Sequence, residues 1–312
     1  MSVKLRGEFL PKFLGTIIFP MPNPPNKYFP PTLALLTGAV VWGLIWYPYR
    51  LVATQGVAGE AATFITYLIA LAFTSVFLFR SWRDLSTAPW RLAAIGLAAG
   101  WTNFGYVLGI LNGEVMRVLL LFYLAPVWTV PLARLLLKEK PSAASYGAVA
   151  VALVGAIVML WRPELGWPVP RTAADWFGLT SGMAFALNNV LSRRLGDCGI
   201  GAKSLASCLG VLAMTGVWLL LFPKPMPVWS NGSANLLLLL ITIGAGLFVI
   251  NIVVQYGLTH TPAVRAIIIM LFELVVAAIS SHLLAGETMS AQQWVGGALI
   301  ITATLSSGVA RI

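Results

Sequence analysis

The sequence is poor in the residues that most metal proteins and hydrolases need. Its 312 residues include only two histidines, His260 and His282, and two cysteines, Cys198 and Cys208. Two histidines exclude a three-histidine metal site, no HExxH motif occurs, and the cysteines are too far apart for a paired zinc motif. The phosphate-binding pattern GxxxxGK[ST] is also missing, which argues against direct use of ATP. We therefore predict no catalytic residues, no metal and no bound cofactor.

Charge is the second scarcity. Charged residues make up 10% of the chain and hydrophobic ones 59%, with a mean hydropathy of +0.86, whereas a soluble domain carries about 25% charged residues. The composition predicts an integral membrane protein. The strict alternation of a membrane β-barrel is absent. The formal charge of +10 is spread over the ends of apolar runs, so it gives no case for nucleic acid as a partner.

Apolar segments of about 20 residues can cross the roughly 30 Å of hydrocarbon in a bilayer. The sequence predicts ten such helices, here numbered span 1 to span 10, after a proline- and lysine-rich cytosolic arm over residues 1–30. The predicted spans are 31–52, 60–79, 90–110, 115–137, 143–161, 174–195, 203–222, 235–258, 262–284 and 291–309.

One segment of the chain occurs twice. A shift of 148 positions places Gly109 on Gly257 and Arg117 on Arg265, and it also aligns Asn103 with Asn251. The chain thus divides into two halves of five spans, 31–161 and 174–309. Because five is odd, the second half enters the membrane from the opposite side. We predict an all-α membrane protein built from two inverted five-helix repeats, an architecture that places a substrate site near the midplane between the halves.

Basic residues set the expected orientation. With the N-terminus in the cytosol, 15 of the 20 lysines and arginines lie inside and five outside. Basic residues favour cytoplasmic loops, so both termini are predicted to be cytosolic, in a bacterial inner membrane. Cys198 then falls in a cytosolic loop, and we expect free thiols.

The motif Leu124-Ala125-Pro126-Val127, with ten helices in two halves, resembles the drug/metabolite transporter superfamily in its EamA-type branch. The second-half counterpart there reads Glu-Pro-Val, whereas this chain has Glu273-Leu274-Val275, without the proline. Lys138-Glu139 and Gly286-Glu287, after the fourth and ninth helices, also look like the family. Within it the chain is most similar to aromatic amino acid exporters of the YddG kind. The resemblance implies export of aromatic or other apolar amino acids and related metabolites.

Glu273 is the one acidic residue that the sequence places in the middle of a span. An intramembrane carboxylate costs several kcal/mol unless it is neutralised or paired, so it is a functional candidate. It could bind a substrate ammonium or carry a proton. Alternatively, it is protonated and holds helices together through a hydrogen bond.

Two further groups of side chains are candidates for substrate binding. Amides on the small-residue faces of the spans either join helices or face a central cavity. Aromatic side chains too deep for the interfacial belt either pack or form the wall of that cavity. The candidates are Asn103, Asn188, Asn251 and Gln255 among the amides, and Trp42, Trp46, Trp101 and Tyr123 among the aromatics.

Prolines and arginines have simpler expected roles. Pro126 and Pro131 interrupt the backbone bonding of span 4 and predict a hinge there. Span 9 has no proline after Pro262, so the two repeats are not expected to bend alike. Arg117 and Arg265, at the starts of spans 4 and 9, are expected to anchor the helix ends at the membrane interface.

These observations predict a secondary transporter that works by alternating access around a largely apolar central cavity. Its expected partners are the lipid bilayer and small amphipathic substrates, amino acids first, and it is expected to be a monomer. A non-transporting receptor or scaffold and an intramembrane enzyme are the alternatives. The spans contain no convergent set of acid, base and nucleophile that an enzyme would need.

Overall fold

The computed structural model describes residues 30–79, 81–166, 169–223, 234–286 and 288–309. All regular secondary structure in these ranges is helical. The predicted N-terminal arm lies outside the described residues except for Pro30. Short helices Ser81–Leu85 and Pro163–Leu165 lie in two of the connections. The spans are Pro31–Leu44 with Trp46–Thr54, Gly59–Phe77, Pro89–Asn112, Val115–Phe122 with Ala125–Leu132 and the π-helical turn Ala133–Leu137, Ala143–Leu160, Ala173–Arg194, Ile200–Leu221, Ala234–His260, Ala263–Met270 with Phe272–Ala285, and Ala291–Val309.

Eight of these ten spans are long and apolar enough to cross a membrane on length and composition alone. The other two, Ala173–Arg194 and Ala291–Val309, have sufficient length but a more polar composition. Span 6 ends in Arg193 and Arg194, and span 10 begins with two glutamines. Both pack against spans of the other half, and these polar residues lie at the ends of the spans, where Arg194 and Gln292 are exposed.

The packing of the spans follows the predicted inverted repeat. Span 3 packs against spans 6 and 7, and its counterpart, span 8, packs against spans 1 and 2. Span 4 packs on span 6 as span 9 packs on span 1, while the pairs 2–7 and 5–10 map onto themselves. Exchanging the two halves therefore maps these main contacts onto one another. The predicted ten-helix fold of two inverted repeats is confirmed.

Glycine allows the closest of these contacts. A β-carbon at Gly155 in span 5 would lie 2.8 Å from the carbonyl oxygen of Gly296 in span 10, and one at Gly296 would lie 2.6 Å from the Gly155 carbonyl. Without side chains at these two positions the backbones approach directly. Such small-residue contacts are the usual means of helix association in lipid, where apolar burial gives little drive.

Spans 4 and 9 are both interrupted, at equivalent positions. Span 4 breaks at Tyr123 and Leu124, and span 9 breaks at Leu271, which the 148-residue shift aligns with Tyr123. The missing proline predicts that the two repeats bend differently. Their helices nevertheless break at equivalent positions. Pro126 explains the break in span 4, because its missing N–H leaves a carbonyl of the preceding turn unbonded. In span 9, Leu274 N–H donates instead to Leu271 O at 3.1 Å, a tighter turn made without proline.

Arg117 does not anchor span 4 at the interface as expected. Its side chain is buried and its Nε donates to Asp175 Oδ2 at 2.9 Å, within span 6. A second guanidinium nitrogen donates to the carbonyl of Val169. Asp175 is 1% exposed and also accepts from the backbone of Arg171 and Thr172 in a capping box. The pair ties the first turns of spans 4 and 6 together.

We expect Asp175→Asn to destabilise the fold strongly. The exchange leaves the Arg117 guanidinium buried beside a neutral amide, and breaking a buried pair in this way costs about 3–5 kcal/mol. Asp197→Asn is the matched control, because its pair with Arg91 at 2.8 Å has side chains 54% and 60% exposed; exposed pairs contribute up to about 1 kcal/mol. Thermal unfolding in detergent should show a large fall in midpoint for the first variant only. Equal shifts for both would contradict a structural role of the buried pair.

Candidate functional site

The two interrupted spans meet at a hydrogen bond. The Tyr123 hydroxyl donates to Glu273 Oε1 at 2.9 Å. Tyr123 ends the first helix of span 4, and Glu273 is the second residue of the helix that resumes span 9 after Leu271. Both residues therefore lie at positions where regular helix is lost within the membrane. Such interruptions are tolerated only where they are buried in protein or line a cavity.

Glu273 has a different setting from the one its sequence position suggests. It lies halfway along span 9, yet it occupies the first turn of the helix Phe272–Ala285. The positive end of a helix dipole favours a carboxylate there. Span 1 covers the same turn closely: a β-carbon at Gly43 would lie 2.7 Å from the Glu273 carbonyl oxygen. Trp46 Nε1 donates to Ser280 Oγ at 2.9 Å, which fixes span 1 against span 9.

Aromatic rings surround the junction of the two spans. Phe122 packs on Tyr106 with ring centroids 5.0 Å apart, on Tyr123 at 5.1 Å and on Phe185 of span 6 at 5.5 Å. Trp42 of span 1 contacts the neighbouring apolar cluster that Phe185 also touches. Rings from spans 1, 3, 4 and 6 thus gather near the bond between Tyr123 and Glu273.

Two amides with unused hydrogen-bonding capacity lie one turn beyond Phe185 on span 6. Asn189 is fully buried, and neither of its amide atoms has a hydrogen-bond partner among the described residues. Asn188 is 9% exposed, and its Oδ1 is likewise without a partner. Leaving such a group unbonded in a buried site costs about 1–3 kcal/mol. Bonds made in another conformation, or to a substrate, would offset that cost. The sequence places Asn188 and Asn189 alike on span 6, although only Asn188 is among the predicted site residues.

The duplicated asparagines make equivalent contacts. Asn103 of span 3 accepts a hydrogen bond from Tyr67 of span 2 at 2.8 Å, and Asn251 of span 8 donates to Cys208 of span 7 at 3.4 Å. Each amide therefore joins its own span to the preceding one, which is the interhelical role the sequence left open. Cys208, like Cys198, is a free thiol. Within the described residues, only the hydrogen bond between Tyr123 and Glu273 joins two predicted site residues.

Trp101 lies away from the junction. It lines a cavity of about 330 Å³ between spans 3 and 7, together with Phe104 and Trp218. Its indole Nε1 donates to Thr180 Oγ1 of span 6 at 3.1 Å. This cavity is almost wholly apolar, and Trp101 contributes to it rather than to the aromatic group around Tyr123.

A polar cluster at one end of spans 6, 7 and 8 escaped sequence analysis. Lys203 is fully buried, and its Nζ donates to Ser192 O at 3.1 Å, Leu195 O at 3.0 Å and Thr259 Oγ1 at 2.6 Å. Gln255, which was predicted to face the cavity, donates to Ser207 Oγ at 3.2 Å beside this cluster. The lysine binds carbonyls at the end of span 6, where a cation is favourable. A lone lysine at the start of an apolar run was the only signal in the sequence.

The two predicted hinge prolines both follow Tyr123 along span 4. Pro126 is the second residue of the helix Ala125–Leu132, a position that tolerates proline, and Pro131 lies within that helix. The π-helical turn Ala133–Leu137 follows. Span 4 is therefore irregular from Tyr123 to its end. The described residues include no group of three or more histidine, cysteine or acidic side chains that could hold a metal ion.

Comparison with known proteins gives a family match over both halves. The model of the EamA-like transporter family matches residues 30–161 and 172–308. An uncharacterized transporter of Archaeoglobus fulgidus is 25% identical over 287 residues, which cover 87% of this chain and 94% of that protein. Protein RarD of Streptomyces exfoliatus is 25% identical over 178 residues, or 55% of this chain and 53% of that protein.

Solved structures share the fold. A crystal structure described only as "Crystal structure of protein" superposes with a TM-score of 0.71 at 18% identity, and the match covers 89% of this chain and 96% of that one. At this identity the likeness speaks for the architecture alone.

We predict that Asn188 and Asn189 become accessible to water during function. In a chain whose native cysteines are replaced, Asn188→Cys and Asn189→Cys should react with a small charged thiol reagent, and an added substrate should slow the reaction. Val249→Cys is the control, because this 54% exposed apolar side chain on span 8 lies on the surface expected to face lipid; a thiol in lipid does not ionise and should stay unreacted. If neither span 6 position reacts while loop cysteines do, these amides do not face a water-accessible site.

Proposed function

The chain belongs to the EamA-like transporter family, and we propose that it is a secondary transporter that exports small amphipathic metabolites by alternating access. The proposed substrates are amino acids, aromatic and other apolar ones first. The proposed site is the junction of spans 4 and 9, with Tyr123 and Glu273 at its centre and Asn188 at its edge. The observation that carries the proposal is the hydrogen bond between Tyr123 and Glu273 across the two interrupted helices.

The inverted repeat supports alternating access. Because the halves are equivalent and face opposite sides, each can open one side of the membrane while the other stays closed. The junction is shared by both halves, since Tyr123 belongs to the first and Glu273 to the second. A substrate held there would contact both halves at once, so movement of one relative to the other would change its access.

The chemistry around the junction suits an amino acid with an apolar side chain. A carboxylate such as that of Glu273 can pair with a substrate ammonium, a charge-assisted bond of the stronger kind. The start of the helix Phe272–Ala285 favours the substrate carboxylate. The rings of Tyr106, Phe122 and Phe185 offer an apolar surface for the side chain. The other predicted candidates, Trp42, Trp46, Trp101, Asn103, Asn251 and Gln255, would act by shaping the surrounding helices.

The family is one of transporters, which argues against an enzyme. The sequence has no nucleotide-binding loop, so the energy comes from gradients of substrate or ions. We place the protein in the bacterial inner membrane with both termini in the cytosol, on the distribution of its lysines and arginines. Export then begins at the face that holds the ends of spans 4, 6 and 8.

We predict that Glu273 couples transport to protons. Glu273→Gln keeps the shape of the side chain but cannot release a proton. Radiolabelled phenylalanine should still enter proteoliposomes of this variant down its gradient, while the stimulation that wild type shows under a pH gradient should vanish. Glu164→Gln, at an exposed acid in the loop after span 5, is the matched control and should behave as wild type.

Two results would count against this scheme. If wild-type flux ignores the pH gradient, proton coupling through Glu273 is wrong and the residue has a structural role. If wild type moves neither phenylalanine nor other amino acids while its reconstitution is verified, amino acids are not the substrates.

A further inference from the structure

A second cavity, of about 440 Å³, lies at the face where spans 4, 6 and 10 end and spans 5 and 9 begin. It is separate from the junction of Tyr123 and Glu273. Its lining includes the charged residues Glu139, Lys140, Arg193 and Arg265. By the distribution of basic residues, this face is the cytosolic one.

The charges of the cavity are unbalanced. Lys140, Arg193 and Arg265 contribute three positive charges, and Glu139 contributes one negative charge. Arg193 Nε lies 3.6 Å from Glu139 Oε1, so this acid is shared with one of the three cations. Lys140 is exposed to solvent, and Arg265 donates to the Thr32 hydroxyl at 3.3 Å. Among the described lining residues, positive charges therefore outnumber negative ones by three to one.

Glu139 shows how a carboxylate is held here. Its Oε2 accepts from the backbone N–H of Ala263 at 3.2 Å, at the start of the helix Ala263–Met270, while its other oxygen faces Arg193. One carboxylate thus already fills the position that a helix start and a guanidinium create together. Arg265 and Lys140 are two further cations in the lining of the same cavity.

Part of the wall is apolar. Val264 and Ile268 on span 9, with Pro141 and Pro262 in the two connections, face the same space. A small inorganic anion would use only the charged part of this surface. An anion that also carries an apolar portion would use both.

We propose that this cavity binds an amphipathic oxyanion, a carboxylate or phosphate with an apolar portion, held by Arg265 and Lys140. Two sources share this chemistry: a free small molecule that enters from the cytosol, and the headgroup of an anionic lipid. The site is additional to the proposed transport site, and its occupancy is measured without any flux. If no binding to this cavity is found, the transport proposal therefore still stands.

The probe is N-acetyl-L-phenylalanine, which has a carboxylate and an aromatic ring but no ammonium to pair with Glu273. N-acetyl-L-phenylalaninamide is its neutral match. In nanodiscs of phosphatidylcholine alone, the acid should raise the thermal unfolding midpoint saturably and the amide should not. In nanodiscs that contain phosphatidylglycerol, a lipid occupant would raise the midpoint without the probe and would suppress the response to it.

Substitutions test whether the shift in unfolding midpoint, with the probe or with anionic lipid, arises from binding in this cavity. Arg265→Gln should raise the half-saturating concentration about tenfold, the loss expected for one charged hydrogen bond. Lys140→Gln should weaken binding in the same direction; because Lys140 is exposed, this variant folds normally. Arg134→Gln is the control, since this exposed arginine stacks on Tyr146 outside the cavity. A response to neither acid nor anionic lipid, an equal response to the amide, or a response that survives both cavity substitutions would overturn the proposal.

Discussion

The hydrogen bond between the Tyr123 hydroxyl and the Glu273 carboxylate joins the two places where a membrane-spanning helix loses its regular backbone bonding. Lipid offers no partner for a free N–H or carbonyl, so each break must be enclosed by protein. The packing of span 1 on the turn at Glu273, through Gly43, and of Phe185 on Phe122 provides that enclosure. The same enclosure brings a tyrosine of one half and a glutamate of the other into contact.

Among the described residues, ion pairs join spans 4 and 6 at both ends. Spans 4 and 6 are joined at one end by Arg117 and Asp175 and at the other by Glu139 and Arg193. The equivalent contact of spans 9 and 1 is the hydrogen bond from Arg265 to the uncharged Thr32 hydroxyl. Spans 9 and 1 are held instead by the bond from Trp46 to Ser280 and by the close approach of Gly43 to Glu273. The cavity at Arg265 lies beside the contact with Thr32.

The sequence was enough to predict the fold, because composition, the repeat and the odd number of spans each constrain it independently. It also identified Tyr123 and Glu273 as separate candidates. It did not predict their contact, since the proline-free span 9 gave no sign of the break at Leu271. That break accompanies the close approach of Gly43, a tertiary contact with span 1. The role of Arg117 was mispredicted and Lys203 was missed for the same reason: their partners, Asp175 and the carbonyls of span 6, lie on other helices.

The central claim is that the protein carries its substrate by exposing one site to each side in turn. Counterflow tests this most directly. Proteoliposomes of wild-type protein, loaded with unlabelled phenylalanine and diluted into a trace of labelled phenylalanine, should accumulate the label transiently above its external concentration and then release it. A carrier produces this overshoot because each inward step is exchanged for an outward one. Label that only approaches equilibrium would indicate a channel, and no protein-dependent entry of phenylalanine would contradict the proposed amino acid transport.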